Sequence, residues 1–363
     1  MASSETTREK LLRLLAHRPS HYMGQMIWIP VQERPTYNEH ASKPANQLGS
    51  LNTLPLELVH MVFAMLDLHS LAHMSQTCHQ GATFVASLPE YRDLMRHAPQ
   101  AVAALGRTDM LRHHSAAILH AALFSTACVS CDLYGSYLHL PSAQRCCLPC
   151  LTRNQSFWVV PVPVAKKYFG FSNTASRQLS VLHSIPGTYY LRTFATHNRR
   201  YRLVSIGTAK QLAITTQAFN SPEHRLTQPS QRTQPFQYRE LQFFQKAPLQ
   251  PPGRDRMRQA NISADYTPRD KYGGTASVIF PSLKAGGRTE IGLCCRGCDE
   301  VLKACYKRFP QTAFATHLFE AGLREDAKLL WSKVDLFEHF THCAGARDLV
   351  PNLQEELRKL EAT

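Results

Sequence analysis

Apolar residues recur at three- and four-residue spacing through Leu58, Val59, Val62, Phe63 and Leu66, the period of one helical face. Pro55 stands just ahead of this stripe, where a missing N–H costs a helix nothing. Asp67 and Ser70 mark a break. Leu71, Met74 and Cys78 resume the helical period, Gly81 interrupts it, and Phe84, Val85 and Leu88 follow before Pro89. Residues 51–96 therefore predict three short helices. So few short helices bury little surface by themselves, and the module is expected to lean on a neighbour or a partner.

Ahead of it, Thr6-x-x-Glu9 has the form of a capping box, and Leu11, Leu12, Leu14 and Leu15 give one short amphipathic helix. Residues 1–48 read as that helix plus a proline-containing tether, loosely attached. The segment 98–125 is rich in alanine and histidine and reads as helix, with His113, His114 and His120 at packed or solvent-facing positions. Strand-like runs at Phe157–Val164 and Tyr201–Ile206 alternate with helical stretches near Ala165–Phe169 and Ala209–Ile214. Residues 221–271 are polar, basic and rich in Pro and Gln, with few apolar anchors, and read as a flexible loop. Ser277–Phe280 and Thr289–Leu293 predict two strands around Gly286-Gly287, and a helical tail ends in the amphipathic stretch Leu353–Leu360. The boundaries that follow are 1–48, 49–96, 97–220, 221–271 and 272–363.

Composition adds a partner class and a compartment. The chain has 363 residues, 44% of them hydrophobic and 19% charged, enough for two or three domains. No apolar run reaches the length of a membrane span, and the N-terminus lacks the order of a signal peptide. A cytoplasmic or nuclear address is expected, where paired cysteines serve as metal ligands rather than disulfides. The formal charge is +14, which favours anionic partners without naming one.

The cysteine spacing carries the chemistry. Cys128-x-x-Cys131 and Cys147-x-x-Cys150 are two knuckles with fifteen residues between them, the pattern of a closed four-cysteine zinc site. Cys146 can stand in for Cys147, although the two-residue gap makes the better knuckle. A second set combines Cys295-x-x-Cys298 with His339 and Cys343, four apart on one helical face; His342 points elsewhere. Four protein ligands leave no open position for water, so one or two structural zinc ions are expected. Filling both sites lowers the formal charge by three, to +11. Phosphate loops, dinucleotide glycine fingerprints, nucleophile elbows and His-Glu-x-x-His are missing from the sequence, and no enzyme is expected.

The stretch Leu54-Pro55-Leu56-Glu57-Leu58-Val59-x-x-Val62-Phe63-x-x-Leu66-Asp67-Leu68-x-Ser70-Leu71, with Ser75-x-x-Cys78 beyond it, closely resembles the F-box. That resemblance implies a Skp-like adaptor as partner and, through it, a cullin. It would place Leu54, Pro55, Leu58, Val62, Phe63, Leu66 and Leu71 in or beneath the adaptor-facing surface. His79-Gln80-Gly81 departs from the Arg-plus-apolar pattern that many members carry after the cysteine. The remainder resembles a group of fungal F-box proteins in which a Cys-x-x-Cys pair follows the F-box, and a Cys-x-Gly-Cys segment precedes a His-Phe-x-x-Cys helix. The fold expected is α+β: an N-terminal three-helix F-box, then a zinc-stabilised domain with a small antiparallel sheet and C-terminal helices. The function expected is recruitment of an unknown protein substrate to a Skp–cullin–F-box (SCF) ubiquitin ligase. The alternative is a zinc-dependent nucleic-acid-binding or scaffold protein; against nucleic acid, no finger-type helix follows the knuckles.

Overall fold

The computed structural model describes residues 2–18, 26–29, 49–191, 194–216, 235–245, 270–308 and 327–361. Helix α1 (Ala2–Leu15) leads directly into a two-residue strand, β1 (Ala16–His17). Four helices fill the next module: α2 (Leu56–Ala64), α3 (Leu68–Thr77), α4 (His79–Ser87) and α5 (Pro89–His97). The three-helix expectation fails at Pro89, which opens a further helix at its first turn instead of only closing the one before. Asp67 caps α3, accepting from the Ser70 N–H at 2.8 Å. Cys78 caps α4 through its sulfur, 3.2 Å from the Gly81 N–H. Helices α6 (Pro99–Arg107) and α7 (Ala116–Phe124) complete the N-terminal helical layer.

The sheets that follow are small and antiparallel. Strands β2 (Tyr137–His139) and β3 (Gln144–Cys146) lead into the short helix α8 (Leu148–Arg153). Then come β4 (Val159–Pro161), α9 (Val162–Phe169), β5 (Leu182–His183), β6 (Gly187–Tyr190), β7 (Phe194–His197), β8 (Arg202–Ser205) and α10 (Ile206–Thr215). Helix α11 (Pro235–Gln245) lies within the stretch expected to be a loop. Its Leu241 and Phe244 are buried, and Phe244 stacks on Tyr168 at 5.3 Å. The rest of 221–269 lies outside the described residues. Strands β9 (Ser277–Ile279), β10 (Ser282–Leu283), β11 (Thr289–Glu290) and β12 (Cys294–Cys295) precede helices α12 (Arg296–Arg308), α13 (Lys333–His342), α14 (Ala344–Leu349) and α15 (Leu353–Glu361). The pairings are β3-β2-β9, β4-β8-β5, β6-β7, β10-β11 and β1-β12. The fold is α+β, with small antiparallel sheets between two helical regions.

Three local expectations change. Gly286 and Gly287 do form the turn, at φ of +86° and +75°, conformations open to glycine. The strands they join are β10 and β11, while Ser277–Ile279 pairs with β2. Helix α1 is not a loose appendage. Leu11 and Leu15 are buried against Phe340, Leu353 and Leu357, and Ala16 and His17 pair with Cys295 and Cys294. Thr6 is interior to that helix, so the Thr6–Glu9 capping box does not mark its start.

One apolar cluster runs from Val59, Phe63, Leu71 and Leu88 through Leu105 and Leu119 to Leu138 and Val278. The 51–96 module thus shares its core with α6, α7 and the β3-β2-β9 sheet. Arg145, on β3, sits inside this region at 3% exposure. Its guanidinium donates to the carbonyls of Ala122, Gly135, Phe280 and Pro281 at 2.5–3.1 Å and lies 4.8 Å from the Phe280 ring. A buried cation is tolerated only when its donors are satisfied; here one side chain ties α7, the loop at Gly135 and the Phe280–Pro281 link together. Arg145→Met strands those carbonyls and is expected to lower stability by about 3 kcal/mol or more, measured as a shift in denaturant midpoint. An unshifted midpoint refutes the clasp.

His139 is fully buried on β2, with Nδ1 2.8 Å from the Ser142 Oγ. Burial pushes its pKa down to about 3. The native ring stays neutral while the unfolded chain takes up a proton near pH 6.5. Stability that is complete above that pH is therefore lost as pH falls towards 3, by about 1.4 kcal/mol per unit. His139→Gln should flatten the pH dependence of unfolding between pH 6.5 and 5. Equal slopes in the two proteins, which share every other titrating group, would reject this.

Candidate functional sites: an apolar ridge and two cysteine clusters

Helix α2 is apolar on two sides. Val59 and Phe63 point into the core at 1% exposure each. Leu58, Met61, Val62 and Met65 point to solvent at 46, 65, 48 and 79% exposure, and Leu54 and Leu56 extend that surface. Apolar side chains exposed together on a short helix make it a candidate interaction surface. Of the residues assigned to the partner surface from sequence, Leu54, Pro55, Leu58 and Val62 are exposed. Leu66 is half-buried against the core, and Phe63 and Leu71 lie wholly beneath the surface, where they support the ridge from within. Met61 and Met65 were not singled out from sequence. Their signal was the i, i+4 spacing with each other, hidden because the opposite face is equally apolar.

The first cysteine cluster joins the loop after α7 to the start of α8. Cys128 and Cys131 sit in a tight turn: the Cys131 and Asp132 N–H groups donate to the Cys128 carbonyl, and the Ser130 N–H lies 3.4 Å from its sulfur. Asp132 takes the left-handed conformation that closes the turn. Cys147 is the residue before α8 and Cys150 lies within it. The four sulfurs lie within 4.8 Å of one another, with Cys131 and Cys147 3.5 Å apart, and all four residues are buried. Cys146 is excluded: its sulfur turns to the Tyr137 carbonyl at 3.7 Å.

The second cluster is assembled from four elements. Cys295 is on β12, Cys298 in the first turn of α12, His339 on α13, and Cys343 at the junction of α13 and α14. The Cys298 sulfur is 3.2 Å from His339 Nε2, and the Cys343 sulfur is 3.7 Å from both other sulfurs. His339 stacks on Trp331 at 4.7 Å. His342 is exposed and outside the cluster. Gly297 and Gly345 make this meeting possible. A Cβ on Gly297 would fall 2.3 Å from the Ala346 nitrogen, and one on Gly345 2.2 Å from the Gly297 oxygen, so α12 and α14 cross backbone to backbone. Gly345→Ala is expected to pry that crossing apart, halving metal content while sparing the first cluster; full metal content by elemental analysis would contradict this.

Within both clusters the ionisable groups perturb one another strongly. In the first, hydrogen bonds from Cys131, Cys147 and Cys150 pull Cys128 far down, and the thiolate so formed pushes Cys147 and Cys150 far up. In the second, hydrogen bonds from Cys295 and Cys298 pull Cys343 down, while bonds to Cys295 and Cys343 push Cys298 up. Burial opposes protonation of His339, but hydrogen bonds with Cys295 and Cys343 overcome it and raise its pKa to about 9. A dication held among them would favour the thiolate form of the sulfurs and the neutral form of His339. Both clusters can hold a metal ion.

A family model described as F-box domain matches residues 51–92, the span that carries the exposed ridge. No curated protein and no solved structure matches the chain. Among the described residues no helix is long and apolar enough to cross a membrane.

Proposed function

We propose that this chain is a non-catalytic, substrate-recruiting F-box subunit of a Skp–cullin–F-box ubiquitin ligase. The observation that carries this reading is the coincidence of the F-box match with an exposed apolar ridge on α2. Such a ridge suits helix-in-groove packing against a Skp-like adaptor. The adaptor would bridge to a cullin, and the remaining chain would present a protein substrate. Its contribution to transfer is proximity: a captured target is held at high effective concentration near a ubiquitin-loaded enzyme.

Zinc is the ion we propose for both clusters. A tetrahedral ion with Zn–S of about 2.3 Å sets its sulfurs roughly 3.8 Å apart, close to the 3.5 and 3.7 Å separations here. Cys128, Cys131, Cys147 and Cys150 would hold one ion, and Cys295, Cys298, His339 and Cys343 the other. Closed shells of this kind brace regions with little core of their own. A cytoplasmic or nuclear address, which keeps thiols reduced, belongs to the same proposal.

The test is reconstitution. Purified full-length chain is mixed with a Skp-like adaptor, cullin and RING subunit, and complex formation is followed by size-exclusion chromatography. Co-elution of all four supports the reading; elution of the chain apart from an intact adaptor–cullin assembly refutes it.

A further inference from the structure

The negative charge of this chain is not evenly spread, and one long stretch is left purely cationic. Residues 133–222 contain no aspartate or glutamate, although the chain carries 27 of them, and the same 90 residues contain ten lysines and arginines. The structure gathers several of these cations on one face. Arg199 and Arg200 occupy the turn after β7, and Arg202 begins β8; all three are exposed. The Arg200 guanidinium donates to the Arg107 carbonyl at 2.7 Å, which brings the exposed end of α6 alongside. His183 pairs across the sheet with Arg202, and its N–H donates to the Thr108 carbonyl at 2.9 Å. Lys271, also exposed, precedes Tyr272, whose ring lies 5.4 Å from that of Tyr201.

Among the described residues, two carboxylates border this face. Asp109 lies 3.3 Å from Arg112 and 3.7 Å from His183. Asp270 is buried, and its carboxylate accepts the Tyr272 N–H. Neither neutralises the Arg199–Arg202 turn. The aromatic rings beneath are engaged with each other: His197 stacks on Tyr272 at 5.4 Å and meets Tyr201 edge-on at 5.3 Å, while Arg199 covers Tyr201 at 5.1 Å. Rings so occupied offer no free platform for nucleobases, on which single-stranded nucleic-acid binding depends. Arginine forks, in contrast, match carboxylates two oxygens at a time.

We infer that this face, built from β5, β7, β8 and the end of α6, docks a carboxylate-rich segment of a partner protein. The inference rests on the recruitment role proposed above, since it names the substrate class that role would serve. A solvated basic surface alone would bind polyanions without regard to position.

The experiment uses the full-length protein and a fluorescein-labelled peptide of eight alternating glutamate and glycine pairs, read by anisotropy at low and at physiological salt. Arg199→Glu/Arg200→Glu/Arg202→Glu should weaken binding at least tenfold. Arg13→Glu/Arg288→Glu/Arg347→Glu, the same charge change on other exposed positions, should weaken it no more than about twofold. The milder Arg199→Gln/Arg200→Gln/Arg202→Gln, with an unchanged melting curve and metal content, should lose at least threefold. Equal losses in the two reversal variants would overturn the inference. So would a single-stranded oligouridylate of matched charge that binds more tightly than the peptide and is lost with the same arginines. Adaptor capture is measured on the same samples; its failure beside intact peptide binding strikes the ligase role, and the reverse strikes only this surface.

Discussion

Leu58→Asp combined with Val62→Asp is expected to abolish capture of a Skp-like adaptor, with at least a 100-fold loss of affinity and little change in thermal midpoint. Both side chains are about half exposed on the outer face of α2, so a charge there stays hydrated in the free chain and costs the fold little. In a complex the same charges would be enclosed against an apolar partner without counter-ions, at several kcal/mol; 100-fold corresponds to about 2.7 kcal/mol. Phe63→Asp is the informative contrast. Phe63 is 1% exposed and sits in the core shared with α6 and the β3-β2-β9 sheet. A charge there should unfold the module, losing adaptor binding and the melting transition together. Met65→Asp, at the most exposed point of the ridge, should show an intermediate loss. The measurement is biolayer interferometry with immobilised adaptor, paired with circular dichroism on each variant. Wild-type affinity in a folded Leu58→Asp/Val62→Asp protein would end the ligase reading.

How far the sequence led depends on how local each signal was. Leu54-Pro55 and the Cys-x-x-Cys pairs are contiguous motifs, and the elements they announced are present. The choice between Cys146 and Cys147 needed the structure, because it depends on which residue precedes α8 and which faces Tyr137. Periodicity alone did not give the outward face of α2, since both of its faces are apolar; the F-box resemblance named Leu54, Pro55, Leu58 and Val62, which are exposed, and left out Met61 and Met65. Arg145 reads as an ordinary surface cation until the four carbonyls around it, up to 136 residues away, are placed. Helix α1 gave no hint of its partners because they lie near the other end of the chain, in α13 and α15. Pro89 misled for a different reason: proline both stops and starts helices, and the chain alone does not say which. Gly297 and Gly345 are legible only as a pair, once α12 and α14 are known to cross.

Metal removal should act on the two cysteine clusters unequally. Elemental analysis of freshly purified protein is expected to give two zinc per chain. Cys128→Ser should prevent soluble folding. The first cluster lies in an apolar core with Tyr137, Leu151, Phe157 and Leu330, and its knuckle is tied to β3 through the Val129–Arg145 backbone bond. Zinc held by four thiolates contributes about 10–16 kcal/mol at neutral pH, comparable to the whole stability of a domain. Cys343→Ser should fold with one zinc. Its cluster braces a separate small core of Leu11, Leu15, Leu336, Phe340, Leu353 and Leu357, so its loss frees the chain's two ends without dissolving the larger core. Amides of α1, β1 and α15 should then exchange with solvent at least about 100-fold faster, while those of α3 to α6 stay protected. A strong chelator applied to the wild-type protein should reproduce this order: the second cluster, in which Cys298 and His339 are partly exposed, is emptied first. Two zinc per chain in Cys343→Ser would show that the second ligand set is wrong. Simultaneous loss of protection everywhere would show that the two cores are one cooperative unit, and that the metal braces the molecule as a whole.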